Sequence, residues 1–429
     1  MQEILFLAYF AVIWLAINRL KIFKLNGNSE LANYAWGISL LGAVFTYFLY
    51  SKIYAIDITK ADTFKFFVDA KTIISYWNTN PNEVLGLFFG SYALNEEVKL
   101  ILESTQYWFR PYHYGDFNDN QLIIRLNMLL LPISAGNYFI HLLWFTFLGF
   151  VGLWLIVKRF FENFEITPNY LGLILFLIPN VFVWKSGVLK EPVLLFGLGL
   201  LLFNFLKYHK SILNYILIAL SLLILVQVKG YVLASLFPVL FLSPISPQKN
   251  LVLKASILYP FLVLIMYLAS KYEFFDLPHL IYQKQFDFYN VSEITNANSG
   301  FTTFKLQPSL ASIILNSPMA LFNGIFRPLP WNCNTPLMWI ATLENIFTFT
   351  ALVYSFTKLD VKKKGSFTFL MLALLFSINL LIIVGLTTTV SGALVRYKMP
   401  ATIALWLIIL YNFSKVKNEK NSFLPLFWS

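Results

Sequence analysis

Two aspartates, Asp62 and Asp69, stand seven residues apart in the stretch ADTFKFFVDAK at 61–71, a spacing that places them on one face of a helix with Phe66 between them. Asp57 lies just before them. A carboxylate beside basic residues has two chemical uses. As a general base it takes the proton of a hydroxyl acceptor, and as a hard oxygen donor it holds a divalent ion. The same spacing is also that of a solvated helix face salt-bridged to Lys65 or Lys71. A second set is basic. Lys185, Lys190, Lys229, Arg396 and Lys398 each fall in a tight turn or at the mouth of an apolar run, on the side where short loops are normally poor in Lys and Arg. Charge at membrane depth is costly and marks substrate or ion paths, although a long cationic stem also reaches the headgroups by snorkelling. Five such residues on one face would form an anion site, and the anion at hand is a lipid phosphate or pyrophosphate. Three short motifs carry these residues and add two more. IPNVFVWKSGVLKEP (178–192) adds Glu191, FRPLPW (326–331) contributes Arg327, and LVRYKMP (394–400) contains Arg396 and Lys398. A fourth piece, NDNQLIIRLN (118–127), holds Asp119 and Arg125 and reads as an ion pair at a helix start.

The elements that position these residues must be membrane helices. Only 12% of the chain is charged, 58% is hydrophobic, and the mean hydropathy is +0.67; a soluble domain carries about 25% charged residues. A chain so poor in charge cannot clothe a water-facing surface. Apolar runs at 4–17, 34–54, 138–157, 170–184, 192–206, 212–228, 231–242, 251–269, 337–356, 367–386 and 401–413 predict an all-α polytopic protein, a single transmembrane domain over 1–429 with about eleven helices. Several runs fall short of the ~20 residues a span needs, so some helices must extend into polar flanks. Basic residues at Arg19, Lys158, Lys207, Lys249, Lys362–Lys364 and Lys415 place the N-terminus outside and the C-terminus in the cytoplasm of an inner (plasma) membrane.

Two long segments then share the outer side, 56–137 and 270–335. The first mixes Phe, Tyr and Trp with charges at helical spacing (Phe66, Phe67, Ala70, Ile73, Ile74, Trp77), the pattern of amphipathic helices lying on a membrane surface. In the second, 313–326 is apolar but interrupted by Asn316, Pro318, Asn323 and Gly324, and reads as an interfacial or re-entrant piece. A single cysteine, Cys333, leaves no disulfide framework, and His113, His141, His209 and His279 are scattered, so a tightly held His/Cys metal site is not expected. The net charge of +11 sits largely beside apolar runs, as cytoplasmic anchoring loops do, and is not read as a nucleic-acid surface.

The early outer-loop acidic pair, the tight W-K-S-G-x-x-K-E hairpin at 184–191 and R-Y-x-x-P at 396–400 together resemble the C-type (GT-C) membrane glycosyltransferases and the related O-antigen or capsule repeat-unit polymerases. The resemblance covers four short stretches. It implies a sugar carried on polyprenyl phosphate or pyrophosphate, a glycan or lipid acceptor, Asp62 or Asp69 as the base, and Lys185, Lys190, Lys229, Arg396 and Lys398 on the lipid phosphate. One departure is plain: in the transferases the acidic motif follows the first helix, and here it follows the second. The expected activity is glycosyl transfer at the outer face, with repeat-unit polymerisation as one alternative and transport of a lipid-linked oligosaccharide as another. No organic cofactor is implied, and a divalent cation is the one assistant left open. Transporters tend to carry broken helices and charges near the bilayer midplane, whereas the sequence places its charges at the outer mouths.

Overall fold

The computed structural model describes residues 2–53, 61–108, 119–164, 166, 170–206, 211–243, 250–272, 276–294, 299–359 and 366–414, and every named element among them is helical. Asp57 and the basic residues at 207, 210, 249, 362–364, 415, 417 and 420 used for the topology lie outside these residues. The chain divides into two compact units. One comprises Met1–Arg159, Pro168–Leu177 and Phe182–Gly230; the other Phe160–Thr167, Ile178–Val181 and Tyr231–Ser429.

The first unit begins with α1 (Gln2–Arg19) and α2 (Glu30–Phe48), the latter prolonged by one wider turn to Ile53. The outer segment expected at 56–137 then supplies four helices: α3 (Asp62–Ser75), α4 (Pro81–Phe89), α5 (Glu96–Glu103) and α6 (Asp119–Ser134). The sequence builds their ends locally. Pro81 opens α4 where no amide partner is needed, Gly90 closes it in the left-handed region at φ 77°, and Asn95 caps α5 by accepting from the Val98 amide. α7 (Tyr138–Asn163) is the long central helix. Its Phe150 is buried among Phe23, Trp36, Trp154 and Phe176.

After α7 come three pieces where one span was expected: a short 3₁₀ turn (Tyr170–Leu173), α8 (Ile174–Leu177) and α9 (Pro179–Trp184). Pro179 cannot continue the i→i−4 ladder of α8, so the run is broken there. α10 (Lys190–Leu206) follows, and α11 (Ile212–Leu242) joins the two runs expected at 212–228 and 231–242 without a loop. Lys229 (φ −154°, ψ 81°) is the non-helical residue inside α11.

The second unit contains α12 (Leu251–Lys271), α13 (Leu277–Ile294), α14 (Leu310–Phe326), α15 (Pro336–Phe356), α16 (Ser366–Thr387), α17 (Ser391–Tyr397) and α18 (Met399–Phe413). α14 lies antiparallel on α16 at backbone distance. A Cβ on Gly385 would overlap the Ala320 carbonyl, and one on Gly324 would stand 2.5 Å from the Leu381 oxygen. α14 ends beside the middle of α15, where Asn345 donates to the carbonyls of Phe326 and Arg327. From there the chain returns through 327–335 to the first turn of α15.

Seven helices among the described residues are long and apolar enough to cross a membrane: α1, α2 with its extension, α7, α11, α12, α15 and α16. The bent pair α17–α18, turned by 53°, makes an eighth if it is one span. The protein therefore has the helices of a membrane protein. The difference from eleven comes from the broken 170–184 run, from α10 at 17 residues, and from the joining of two runs in α11.

Candidate functional site

In the first unit, Phe182 to Trp184, the turn at 185–189 and α10 form a hairpin that does not reach the ends of its neighbours. Phe182 stacks obliquely on Phe45 at 6.1 Å, and the Thr46 hydroxyl meets the Val183 carbonyl at 3.0 Å. The Ser186 hydroxyl donates to the Ser39 carbonyl at 3.1 Å. Small residues let the turn in. A Cβ on Gly149 would overlap the Lys185 carbonyl, and one on Gly42 would stand 2.5 Å from the Phe182 oxygen. Gly149 is roughly 16 Å along α7 from its start at Tyr138, so the turn and the first residues of α10 sit beside the middle of that helix. The approach continues downward: Gly152 and Gly199 each leave no room for a Cβ between α7 and α10. Arg159 grips the Phe203 carbonyl from Nε and Nη2 at 3.2 and 2.8 Å.

Helices α3 and α6 cover this turn. The Thr63 hydroxyl is bonded to Tyr138 and accepts from the Val188 amide at 3.3 Å. Phe64 packs with Leu189 and Tyr50, and Lys190 lies 5.6 Å from the ring centre of Phe66. Lys190 pairs with Asp119 at 2.7 Å, joining the first turns of α10 and α6; the carboxylate side chain is 25% exposed and the lysine only 7%. One residue on, Glu191 pairs with Lys229 at 2.8 Å, and both are buried. Lys185 is wholly buried as well. Its Nζ donates to the Phe182 carbonyl at 3.3 Å and stands 4.9 Å from that ring, and no carboxylate among the described residues forms an ion pair with it.

The two aspartates singled out from spacing fare differently. Asp62 opens α3, and its side chain lies outside the described residues. Asp69 is buried, and its two oxygens accept the amides of Gln106 at 3.0 Å and Tyr107 at 2.7 Å. Burial pushes its carboxyl up from the ordinary range, while the amides of Gln106, Tyr107 and Trp108 and the charge of Lys65 pull it down. With one amide on each oxygen and almost no exposed surface, Asp69 holds the segment after α5. The better placed acid in this unit is Asp119, which the sequence offered only as an ion pair at a helix start. Its partner, Lys190, is 71 residues away, and no local spacing reports that meeting.

Ser134, His141 and Asn127 are linked in the order hydroxyl, imidazole, amide, at 2.8 and 2.7 Å. Asn127 Oδ1 can only accept, so Nδ1 carries the proton toward it, and Nε2 is then free to accept from Ser134. All three are fully buried and lock α6 to α7.

In the second unit, Arg327 is buried with Nε on Asn323 Oδ1 at 2.9 Å, Nη1 on Asn332 Oδ1 at 3.4 Å, and its guanidinium 4.0 Å from the ring centre of Phe301. Lys398 is occupied internally. Its Nζ donates toward the carbonyls of Gly324, Ile325 and Arg327 at 3.1, 3.3 and 3.3 Å and to Asn345 Oδ1 at 2.7 Å. Three N–H groups facing four acceptors leave no donor for a phosphate. Lys398 caps the last carbonyls of α14. Arg396 is half-buried in the last turn of α17.

The residues named from sequence thus divide between the units, with Lys185, Lys190, Glu191 and Lys229 in one and Arg327, Arg396 and Lys398 in the other. Among the described residues no three His, Cys, Asp or Glu side chains are grouped to hold a metal ion. No protein-family model, curated protein or solved structure matches the chain.

Proposed function

We propose that the protein is a membrane glycosyltransferase of the cell's inner (plasma) membrane, taking a sugar from polyprenyl phosphate or pyrophosphate at the extracytoplasmic face in cell-surface polysaccharide or glycolipid synthesis. The observation that supports this reading is the Asp119–Lys190 pair, a partly exposed carboxylate against a cation at the covered mouth of the hairpin. In this reading the donor's phosphate takes Lys190 and releases Asp119. The acceptor hydroxyl gives its proton to Asp119 as its oxygen attacks the anomeric carbon. The bond from that carbon to the phosphate oxygen breaks, and Lys190 stabilises the charge left on the phosphate. This reading gives the base's role to Asp119 in place of Asp69; Asp62, whose side chain lies outside the described residues, keeps the role expected from the sequence. Mass spectrometry of lipid-linked glycans in cells lacking the protein tests the reading: an accumulated polyprenyl-linked sugar is expected, and an unchanged lipid-linked pool would remove it. Repeat-unit polymerisation is the same chemistry with a longer acceptor, distinguished by loss of chain length alone.

One observation favours transport instead. Lys229 interrupts α11 and pairs with the buried Glu191 beside the turn, and broken helices with charges at half depth are the usual construction of a carrier. A carrier would leave the lipid-linked sugar on the inner leaflet when removed, a transferase on the outer one.

A further inference from the structure

The second unit holds a cavity of about 200 Å³ between α14, α15, α16 and α18, somewhat larger than the ~150 Å³ space that admits benzene in an apolar core. Its walls are mostly Leu, Ile and Phe, and among its lining residues Phe349 and Ile378 are exposed at the surface of two helices of spanning length. A molecule dissolved in the bilayer can therefore enter from the side.

Most of the polar groups on its wall are already used. Asn345 donates to two carbonyls and accepts from Lys398, which is itself occupied. The Ser377 hydroxyl donates to Ala373, that of Thr402 donates to Lys398, and Thr348 accepts the Trp406 indole N–H. Glu344 is different. It is more than nine-tenths buried and sits near the middle of α15; one oxygen accepts the Asn180 amide at 2.8 Å. No hydrogen bond among the described residues reaches its other oxygen, Oε1. A carboxylate at this depth with an unmet acceptor marks a functional site by default. Apolar walls with a single convergent polar group are how small-molecule sites are built.

We propose that this cavity binds a membrane-dissolved molecule with an apolar body and one hydroxyl, the hydroxyl donating to Glu344. A neutral donor fits better than a cation, because the Lys398 ammonium on the same wall already supplies positive charge. The site is independent of the transferase reading and stands or falls by binding alone.

The test uses the full chain in lipid nanodiscs with three photoreactive probes of one chain length: a diazirine-bearing fatty alcohol, the matching amine and the matching hydrocarbon. Labelled peptides are mapped by mass spectrometry. The alcohol should label α15 or α16 at least ~10-fold more than the hydrocarbon, as a hydrogen bond to a charged acceptor implies. Glu344→Gln replaces the charged acceptor by a neutral amide, whose bond to a hydroxyl is weaker, and should lower alcohol labelling severalfold toward the hydrocarbon level. Leu374→Trp fills the cavity without touching its polar groups and should abolish labelling, which keeps the test decisive if the Glu344 variant fails to fold. Equal labelling by alcohol and hydrocarbon, stronger labelling by the amine, no label on α15 or α16, or alcohol labelling that survives Leu374→Trp would each overturn the proposal.

Discussion

Burial separates the two ion pairs of the first unit and decides what each can do. Asp119 keeps a quarter of its side chain exposed, but Lys190 keeps only 7%, so a variant that removes the carboxylate's charge leaves a buried ammonium short of its partner. Asp119→Asn keeps an oxygen that can accept from Lys190, so it should fold with reduced stability while lowering glycosyl transfer per folded molecule by ~10²–10⁴-fold, read from lipid-linked glycan turnover in membranes. Asp69→Asn should affect stability alone. One acceptor oxygen then faces two amides, so ~1–3 kcal/mol of stability is lost with turnover per folded molecule unchanged. Glu191 and Lys229 are sealed together. Lys229→Met takes a cation from a buried carboxylate and should cost ~3–5 kcal/mol, whereas adding Glu191→Met should recover much of that loss. Thermal unfolding in detergent measures both, and a double variant no better than the single would show that the pair is not what holds this corner.

At the scale of elements, the bundle relies on glycines that admit a neighbour's backbone. α7 receives the hairpin at Gly149 and Gly152, α10 answers with Gly199, and α14 meets α16 through Gly324 and Gly385. Such contacts drive association where lipid offers no hydrophobic gain between helices. Gly385→Leu and Gly152→Leu should therefore prevent stable folding, seen as loss of the monodisperse peak on size exclusion. Gly230→Ala, with nothing within 4 Å of the added carbon, should be tolerated. The cap on α14 is a separate device. Lys398→Met leaves three backbone carbonyls without their shared donor and should lower the unfolding temperature by roughly 2–3 °C, taking 1.5–3 kcal/mol for the lost charged hydrogen bonds in a chain of this length.

At the scale of the whole chain, hydropathy revealed the helical class and the long spans, because a continuous apolar run of spanning length is at home almost nowhere but in lipid. It could not reveal the breaks. Residues 170–184 and 192–206 look like two ordinary spans; that their turn stops beside Gly149 depends on small residues in a different helix. Lys229 looked like a loop residue between two runs; it is a single non-helical residue at a kink inside α11. Lys398 looked like a phosphate ligand because its charge is visible in sequence, and the carbonyls that absorb the charge are not. The topology expected from the basic residues, with the N-terminus outside, is open to a direct check. In a Cys333→Ser background, single cysteines at Asn82 and Glu293 should react with an impermeant maleimide from outside. One at Lys358 should react only after permeabilisation, and the opposite pattern would invert the map and the placement of the site.

The short pieces around the 185–189 turn have a bearing on how the protein is made. α8 and α9 have 4 and 6 residues, and the turn they lead into carries a wholly buried lysine. Segments this short, ending in a charge, have no tendency of their own to stay in lipid. They need a cleft already lined with glycine and backbone carbonyls. α2 and α7, which supply that lining at Gly42, Ser39 and Gly149, precede them in the chain and leave the ribosome first. Biogenesis thus has a built-in order in which the cleft is laid down before its occupant emerges. A circular permutation placing residues 170–206 ahead of α2 would deliver the hairpin to bare lipid.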